Sequence, residues 1–207
     1  THCCDCLKAC PQAAISWEDE IPVTDRKRCT RCGTCMDICP AGARELLGRE
    51  WSATDVMAVI RRDLAFYDQS GGGVTLSGGE PLDQPAFCSE LLAACKAEEI
   101  HTALDTCGYC SWEKLDEIRK YIDLFLFDIK LMNDAQHNRY TGVSNRLILD
   151  NLHRLAKSGH EIILRVPLIP GITDSEANLR SIAELAGSLP GIRRIDLLPF
   201  HDTARLK

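Results

Sequence analysis

Seven of the eight cysteines within the first 39 residues of the chain form two runs of regular spacing. The complete run has the spacing C-x2-C-x2-C-x3-C and consists of Cys29, Cys32, Cys35 and Cys39, followed by Pro40. The run before it has the spacing C-x2-C-x3-C and consists of Cys3, Cys6 and Cys10, followed by Pro11. The complete spacing is that of ferredoxin-type ligands for [4Fe–4S] clusters, and its tight loops can point backbone N–H groups at the sulfurs. The indicated chemistry is therefore iron–sulfur binding.

In paired runs of this kind, the fourth cysteine of each run binds the other cluster. One cluster would then be held by Cys10, Cys29, Cys32 and Cys35. The other would be held by Cys3, Cys6, Cys39 and a cysteine one position before Thr1, so we expect the chain to be cut at its start. The alternatives are a zinc site made of two CxxC pairs, or buried cysteines without a ligand. Zinc needs only four ligands, so two clusters account better for the number of cysteines.

Five further cysteines fit no cluster spacing: Cys4, Cys88, Cys95, Cys107 and Cys110. Cys88 and Cys95 fall on a predicted helix among apolar residues, which favours packing in the core. Cys107 and Cys110 form a CxxC after a predicted strand, where a redox pair is the alternative to burial.

Composition narrows the class of protein. The chain has 207 residues and 12 cysteines, with no signal peptide and no membrane-spanning run, which predicts a cytoplasmic protein with reduced thiols and no membrane contact. Its net charge of −6 argues against a nucleic-acid partner, because such partners require clustered positive charge. Protein or small-molecule partners are expected instead.

The pattern of the chain changes near Leu47. Residues 1–47 form short segments punctuated by cysteine, proline and glycine, which predicts a small ferredoxin-like module. Residues 48–207 alternate apolar runs with helical patterns, which predicts parallel strands in an α/β barrel or a doubly wound sheet. The predicted strands are 74–76, 101–104, 124–128, 162–166 and 195–198. The predicted helices begin with one at Ser52, capped by Asp55, and continue with 84–99, 112–120, 146–157 and 174–188.

Ionisable residues follow the predicted strands, at the ends where parallel α/β folds collect functional groups. We call these six residues the strand-end cluster: Glu80, Asp105, Asp128, Lys130, Arg165 and His201. Glycines at 78 and 79 let a ligand approach the backbone, and Glu80 beside them can accept hydrogen bonds from an ammonium group. Lys130 suits a carboxylate, and Arg165 suits a carboxylate or ribose hydroxyls. The cluster therefore predicts a site for the amino-acid end of a ligand, and Asp128 is expected to lie near Lys130 or a cation because a lone buried charge is costly.

Six segments of the sequence resemble the activating enzymes of glycyl radical enzymes, a family of radical S-adenosylmethionine (SAM) enzymes. They are GGVTLSGGEP at 72–81, LDTCG at 104–108, DIK at 128–130, YTGVSN at 140–145, RVPLIPG at 165–171 and LLPFH at 197–201. The resemblance implies a partial (β/α)6 barrel. It also implies that residues 1–47 are the two-cluster ferredoxin insert found in part of the family.

The resemblance also implies roles for individual residues. Gly78, Gly79 and Glu80 would bind the amino group of SAM with help from Asp105, and Lys130 would bind its carboxylate. Asp105, Thr106 and Asp128 match positions that line a monovalent cation in relatives. Arg165 and His201 match contacts to the nucleoside and the reaction site, and Asn133 falls in a stretch that borders SAM.

The implied reaction is reductive cleavage of SAM to a 5′-deoxyadenosyl radical, which generates a glycyl radical on a partner enzyme. The implied partners are a glycyl radical enzyme and a flavodoxin or ferredoxin electron donor, with the chain itself a monomer. The family binds its SAM-ligating [4Fe–4S] cluster through CxxxCxxC, and that motif is absent from these 207 residues. We therefore expect a chain truncated at both ends and inactive alone. An electron-transfer module with a docking α/β domain, or a structural zinc protein, are the alternatives.

Overall fold

A computed structural model of the chain describes residues 3–19, 21–46, 48 and 50–201. It divides into two compact units, Thr1–Glu50 and Trp51–Lys207. The expected boundary residue Leu47, and the chain ends Thr1 and Lys207, lie outside the described residues.

The first unit is small and built around the cysteine runs. Strands β1 (Ile15–Glu18) and β2 (Ile21–Thr24) form an antiparallel hairpin. One short helix lies in each cysteine run: α1 (Asp5–Ala9) carries Cys6, and α2 (Thr34–Asp37) carries Cys35. Gly33 precedes α2 with a φ of 84°, a left-handed conformation that suits glycine.

The second unit contains a parallel sheet of five strands in sequential order. The strands are β3 (Gly73–Leu76), β4 (His101–Thr106), β5 (Leu124–Asp128), β6 (Glu161–Leu168) and β7 (Ile192–Pro199). Each strand pairs with the next one along the chain. A doubly wound sheet reverses its strand order at a switch point, whereas a barrel does not. The sequential order therefore confirms the predicted partial barrel.

Helices connect the strands of this sheet. They are α3 (Ala53–Ile60), α4 (Leu64–Ser70), α5 (Pro85–Ala97), α6 (Trp112–Arg119), α7 (Asp134–Thr141), α8 (Arg146–Lys157) and α9 (Glu176–Ser188). Cys88 and Cys95 on α5 are 3% and 0% exposed, so their predicted place in the core is confirmed. In the described part of the chain, no helix is both long and apolar enough to cross a membrane.

The two faces of the sheet differ in their covering. Phe125 and Phe127 on β5 belong to the hydrophobic core and are fully buried. Leu126 and Asp128 alternate with them and are only half-buried. Because successive side chains of a strand point to opposite faces, Asp128 lies on the less covered face. Its register partner on β6, Arg165, lies on the same face.

Two elements depart from the prediction. The helix that begins at Ser52 has the predicted capping box with Asp55, but a 3-10 turn at Arg61–Asp63 divides it into α3 and α4. Helix α7 was not predicted, because its sequence is polar and buries only His137. Apolar periodicity is therefore too weak there to indicate a helix.

We expect Leu92→Ala to lower the free energy of unfolding by about 3 kcal/mol, because Leu92 on α5 is 0% exposed and its removal leaves a cavity. Leu147→Ala makes the same chemical change on α8 at a side chain that is 37% exposed, and should change stability by less than about 1 kcal/mol. Urea unfolding followed by circular dichroism measures both. Equal losses in the two variants would contradict the packing described for α5.

Candidate functional site

The carboxylate of Glu80 is fixed by the end of the neighbouring strand. Its Oε1 accepts hydrogen bonds from Thr106 Oγ1 at 2.7 Å and from the Leu82 N–H at 3.2 Å. Its Oε2 accepts from the Cys107 N–H at 2.9 Å. Thr106 is 2% exposed and also accepts from the Gly108 N–H, so its hydroxyl is itself held in place and positions Glu80 from the buried side. Oε1 thus has two donors and Oε2 has one among the described residues, so Oε2 still has a lone pair for a further donor.

Open space lies beside Glu80. Gly78 has a φ of 131°, which side chains rarely adopt. A Cβ atom built on Gly78 or Gly79 would meet no atom within 4 Å. A ligand can therefore approach this backbone closely, as the sequence predicts.

An ion-pair network joins the ends of three adjacent strands. Arg165 Nη2 lies 2.8 Å from Asp105 Oδ1 and 3.0 Å from Asp128 Oδ1, and Arg165 Nε donates to Asp128 Oδ1 at 3.1 Å. Lys130 Nζ lies 3.6 Å from Asp128 Oδ2. On the other side, Ser77 Oγ donates to Asp105 Oδ2 at 2.7 Å. The nearest cation to Asp128 is thus Arg165, and the expected neighbour Lys130 is more distant.

The charges of this network do not cancel. Three carboxylates, those of Glu80, Asp105 and Asp128, face two cations, Lys130 and Arg165, which leaves one negative charge. The Lys130 side chain is 34% exposed and only loosely paired, so it can bind a carboxylate group. The site suits a ligand with one net positive charge, an ammonium group and a carboxylate, which is the charge pattern of SAM.

Asn133 and His201 are the remaining predicted residues. Asn133 Oδ1 accepts from the Gln136 N–H at 2.9 Å and caps helix α7. His201 is exposed and follows β7 by two residues. Their contacts with SAM stay predictions.

Two buried amides that the sequence did not indicate hold the loop that carries Lys130. Asn145 Nδ2 donates to the carbonyl oxygens of Leu131 and Met132, both at 2.9 Å. Asn178 Nδ2 donates to the Lys130 carbonyl at 2.9 Å, and its Oδ1 accepts from the Met132 N–H at 2.9 Å. Asn145 ends the YTGVSN segment, but only the packing of the helices shows which loop it contacts.

A cavity of about 120 Å³ in the first unit is lined by the four cysteines predicted to share one cluster: Cys10, Cys29, Cys32 and Cys35. We call it the cysteine cavity. Backbone N–H groups donate to the sulfurs of the runs: Ala14 to Cys10 at 3.3 Å, Arg31 to Cys29 at 3.4 Å and Ala43 to Cys39 at 3.2 Å. Such bonds stabilise negative charge on thiolate ligands. Among the described residues, no three His, Cys, Asp or Glu side chains are placed to hold a metal ion together.

Arg44 lines the same cavity and contacts strand β2 and Cys6 of the first cysteine run. Its Nη1 donates to Thr24 Oγ1 at 2.9 Å, and its Nη2 lies 3.3 Å from the Pro22 carbonyl and 4.0 Å from Cys6 Sγ. Its Nε is buried and has no acceptor in the described part of the chain. A half-buried guanidinium with one buried, unused N–H fits a cavity that receives an anionic cluster.

Two groups of cysteines have pKa values shifted in opposite directions. The Thr34 hydroxyl lowers the pKa of the Cys32 thiol, and the Ala43 N–H lowers the pKa of the Cys39 thiol. Burial raises the pKa of Cys88, Cys107 and Cys110 to about 11. Thiolate is the metal-binding and nucleophilic form, so the raised values disfavour a redox role for the CxxC at 107–110.

Comparison with known proteins now identifies the family. A model of the Radical SAM superfamily matches residues 27–181, and a model of a 4Fe-4S dicluster domain matches residues 1–43. The isethionate sulfite-lyase activating enzyme of Oleidesulfovibrio alaskensis is 38% identical over 205 residues, which cover 97% of this chain and 66% of that protein. The trans-4-hydroxy-L-proline dehydratase activating enzyme of Clostridioides difficile is 40% identical, covering 88% of this chain and 71% of that protein. The chain belongs to the radical SAM activating enzymes of glycyl radical enzymes.

Solved structures agree with this family. A domain of a pyruvate-formate lyase-activating enzyme from Bacteroides vulgatus is 39% identical, with a TM-score of 0.59 over 63% of this chain and 82% of that one. Streptococcus suis SuiB, bound to SAM, is 16% identical with a TM-score of 0.63 over 79% of this chain and 37% of that one, and shows the fold alone. The chain spans about two thirds of the length of the curated relatives named above.

We expect alkylation of the iron-free chain at pH 7 to separate the two groups of cysteines. Cys32 and Cys39 should react first with iodoacetamide, because their lowered pKa values increase the thiolate fraction. Cys107 and Cys110 should stay unmodified until denaturant is added, because a pKa of about 11 leaves little thiolate. Peptide mass spectrometry over a time course measures each site. Early labelling of Cys107 in the folded chain would contradict the burial described.

We expect Arg165→Met to lower the free energy of unfolding by about 2 kcal/mol at pH 7, because Asp105 and Asp128 would then face each other without their shared cation. The loss should shrink when Asp105→Asn is added to Arg165→Met, because only one of the two facing carboxylates then keeps its charge. Arg180→Met removes an exposed ion pair with Glu176 and should cost less than about 1 kcal/mol. Urea unfolding of the single and double variants tests this, and a double variant that is no more stable than Arg165→Met would refute the electrostatic explanation.

Proposed function

We propose that this chain binds SAM at the strand-end cluster and [4Fe–4S] clusters at the seven cysteines, as part of an enzyme that generates a glycyl radical on a partner protein. The observation that carries the proposal is the fixed carboxylate of Glu80, which lies beside open glycine backbone in a site with one net negative charge. This arrangement occurs in a chain of the radical SAM family.

The protein's residues would bind and orient SAM. Glu80 would accept from the ammonium group, because Thr106 and the Cys107 N–H already hold its carboxylate in one orientation. Lys130 would bind the carboxylate from a loop that Asn145 and Asn178 hold in place. The chemistry that a SAM-ligating cluster, held by CxxxCxxC in the complete protein, would supply is the electron for reductive cleavage of SAM.

The structure modifies the roles proposed for the remaining residues. Arg165 already bridges Asp105 and Asp128, so a monovalent cation beside these carboxylates would adjoin its guanidinium. Thr106 donates its hydroxyl hydrogen bond to Glu80, so we propose that its main role is to hold that carboxylate in place. Contacts of Arg165 and His201 with the nucleoside stay part of the proposal.

The complete reaction requires CxxxCxxC, which does not occur in these 207 residues. We therefore propose the complete reaction for a protein that joins that motif to this sequence, and binding alone for the chain as given. Its ferredoxin-like clusters would act as auxiliary electron relays. The proposed partners are a glycyl radical enzyme and a ferredoxin or flavodoxin, with the protein a cytoplasmic monomer.

We expect Glu80→Gln and Lys130→Met each to weaken SAM binding by about tenfold or more, since each removes a hydrogen bond with a charged partner. Glu184→Gln and Lys157→Met make the same changes at exposed helix positions and should bind like the unaltered protein. Isothermal titration of cluster-loaded protein with SAM, under anaerobic conditions, measures the dissociation constants.

Two results would contradict the proposal. Unchanged SAM binding in both site variants would refute the assignment of the strand-end cluster. Iron binding without any SAM binding would favour the alternative, an electron-transfer module with a docking domain. The observation that supports this alternative is that all four cysteines predicted for one cluster line the same cavity.

A further inference from the structure

A basic surface lies next to the cysteine cavity. Between positions 25 and 32 the sequence is DRKRCTRC, with four cations and one carboxylate, although the whole chain has a net charge of −6. Arg26, Lys27 and Arg31 are exposed, and we call these three residues the basic patch. In the described part of the chain, none of them has a carboxylate oxygen within 4.0 Å. Their positive charge is therefore available to a partner that approaches from solution.

The basic patch adjoins the predicted cluster through Cys29. This cysteine lines the cysteine cavity and also an open groove of about 510 Å³. Arg26 and Arg31 line the groove, together with one carboxylate, that of Glu45. A molecule seated in the groove would therefore lie next to one of the proposed ligands.

Apolar side chains are exposed beside the basic patch. Met36 and Leu46 both line the cysteine cavity and are 40% and 43% exposed. Ile38, two residues after Met36, is 46% exposed. An apolar centre with a charged margin is typical of a surface that binds another protein, whereas a nucleic-acid surface is dominated by phosphate contacts.

We propose that the basic patch and its apolar neighbours form the docking surface for an acidic ferredoxin that reduces the cluster of the cysteine cavity. The inference rests on the proposed function, because it requires a cluster held by Cys10, Cys29, Cys32 and Cys35. Charge complementarity selects an acidic partner, since opposite potentials steer two proteins together. A ferredoxin is the matching electron donor because it delivers electrons one at a time, and an oxidised [4Fe–4S] cluster accepts one electron.

The electron balance of the step is simple. One electron leaves the reduced [2Fe–2S] or [4Fe–4S] centre of the ferredoxin and enters the oxidised cluster of this chain. No bond forms or breaks and no proton moves. The ferredoxin is the reductant and leaves in its oxidised form.

The test measures how fast a reduced plant-type [2Fe–2S] ferredoxin is oxidised by the cluster-loaded, 207-residue chain in an anaerobic stopped-flow experiment. The variant Arg26→Glu/Lys27→Glu/Arg31→Glu reverses the basic patch. At 10 mM salt its second-order rate constant should fall by about tenfold or more. In 1 M salt, where charges are screened beyond about 3 Å, the difference should fall below about twofold.

A matched control carries the same change of charge elsewhere. Arg62→Glu/Lys114→Glu/Lys157→Glu alters three exposed residues of the second unit and should keep the rate of the unaltered chain. Reduction by photoreduced 5-deazariboflavin, which is uncharged, should be equal in all three proteins. Equal iron content and equal visible spectra show that the substitutions leave the cluster in place.

Several outcomes would overturn the docking proposal. An unchanged rate in the patch variant would contradict the proposal. Equal slowing in the patch variant and the control would also contradict it, because the rate would then depend on overall charge alone. Slowing with reduced flavodoxin as donor but not with ferredoxin would assign the surface to a different carrier. Loss of binding to a DNA duplex at 0.15 M salt, with ferredoxin oxidation unaffected, would assign it to nucleic acid.

Failure of the proposed function gives a different result. A chain that binds no iron under reconstitution has no cluster to reduce, and both proposals fail together. A chain that loads its cluster but fails to bind SAM contradicts the SAM site while leaving the ferredoxin measurement valid. The iron content and the SAM titration thus separate the two failures.

Discussion

The guanidinium of Arg165 lies between carboxylates from two neighbouring strands, and the less covered face of the sheet depends on this contact. Asp105 and Asp128 are both about one fifth exposed, at 17% and 22%, so neither can rely fully on water to solvate its charge. A single planar cation satisfies both and connects β4, β5 and β6 at their carboxyl ends. Lys130 is then free to stay loosely paired, and Glu80, held by hydrogen bonds to β4, supplies the remaining negative charge. The site therefore has a loosely paired cation, Lys130, and a carboxylate without a paired cation, Glu80.

The sequence indicated the strand ends correctly because an apolar run stops where a parallel strand stops. The strand at Leu124–Asp128 and the helix at Arg146–Lys157 have the predicted bounds, since both have clear apolar patterns and flanking polar residues. Helix α7 has no such pattern, so the signal that predicts the other helices is missing there. The sequential order of the strands is a property of packing, and a barrel and a doubly wound sheet share the same local patterns.

Partners of individual polar groups were much harder to predict. The spacing of the cysteines indicates which four belong together, and those four line one cavity. Spacing does not indicate that Arg44, on a different segment, contributes a buried N–H to that cavity, because the contact depends on how the hairpin and the later loop fold together. The amides of Asn145 and Asn178 present the same difficulty, since each side chain reaches from a later part of the chain to the loop after β5.

The register of the sheet has an evolutionary consequence. Asp128 is paired directly with Arg165, and Asp105 is paired with Leu126 on the intervening strand. Insertion or deletion of one residue within β6 would turn Arg165 to the helix-covered face and leave two carboxylates without their cation. Changes of length in this part of the protein should therefore be confined to the connections after the strands. Descendants of such a chain can acquire new partners by lengthening loops, while the strands themselves must keep their residue count.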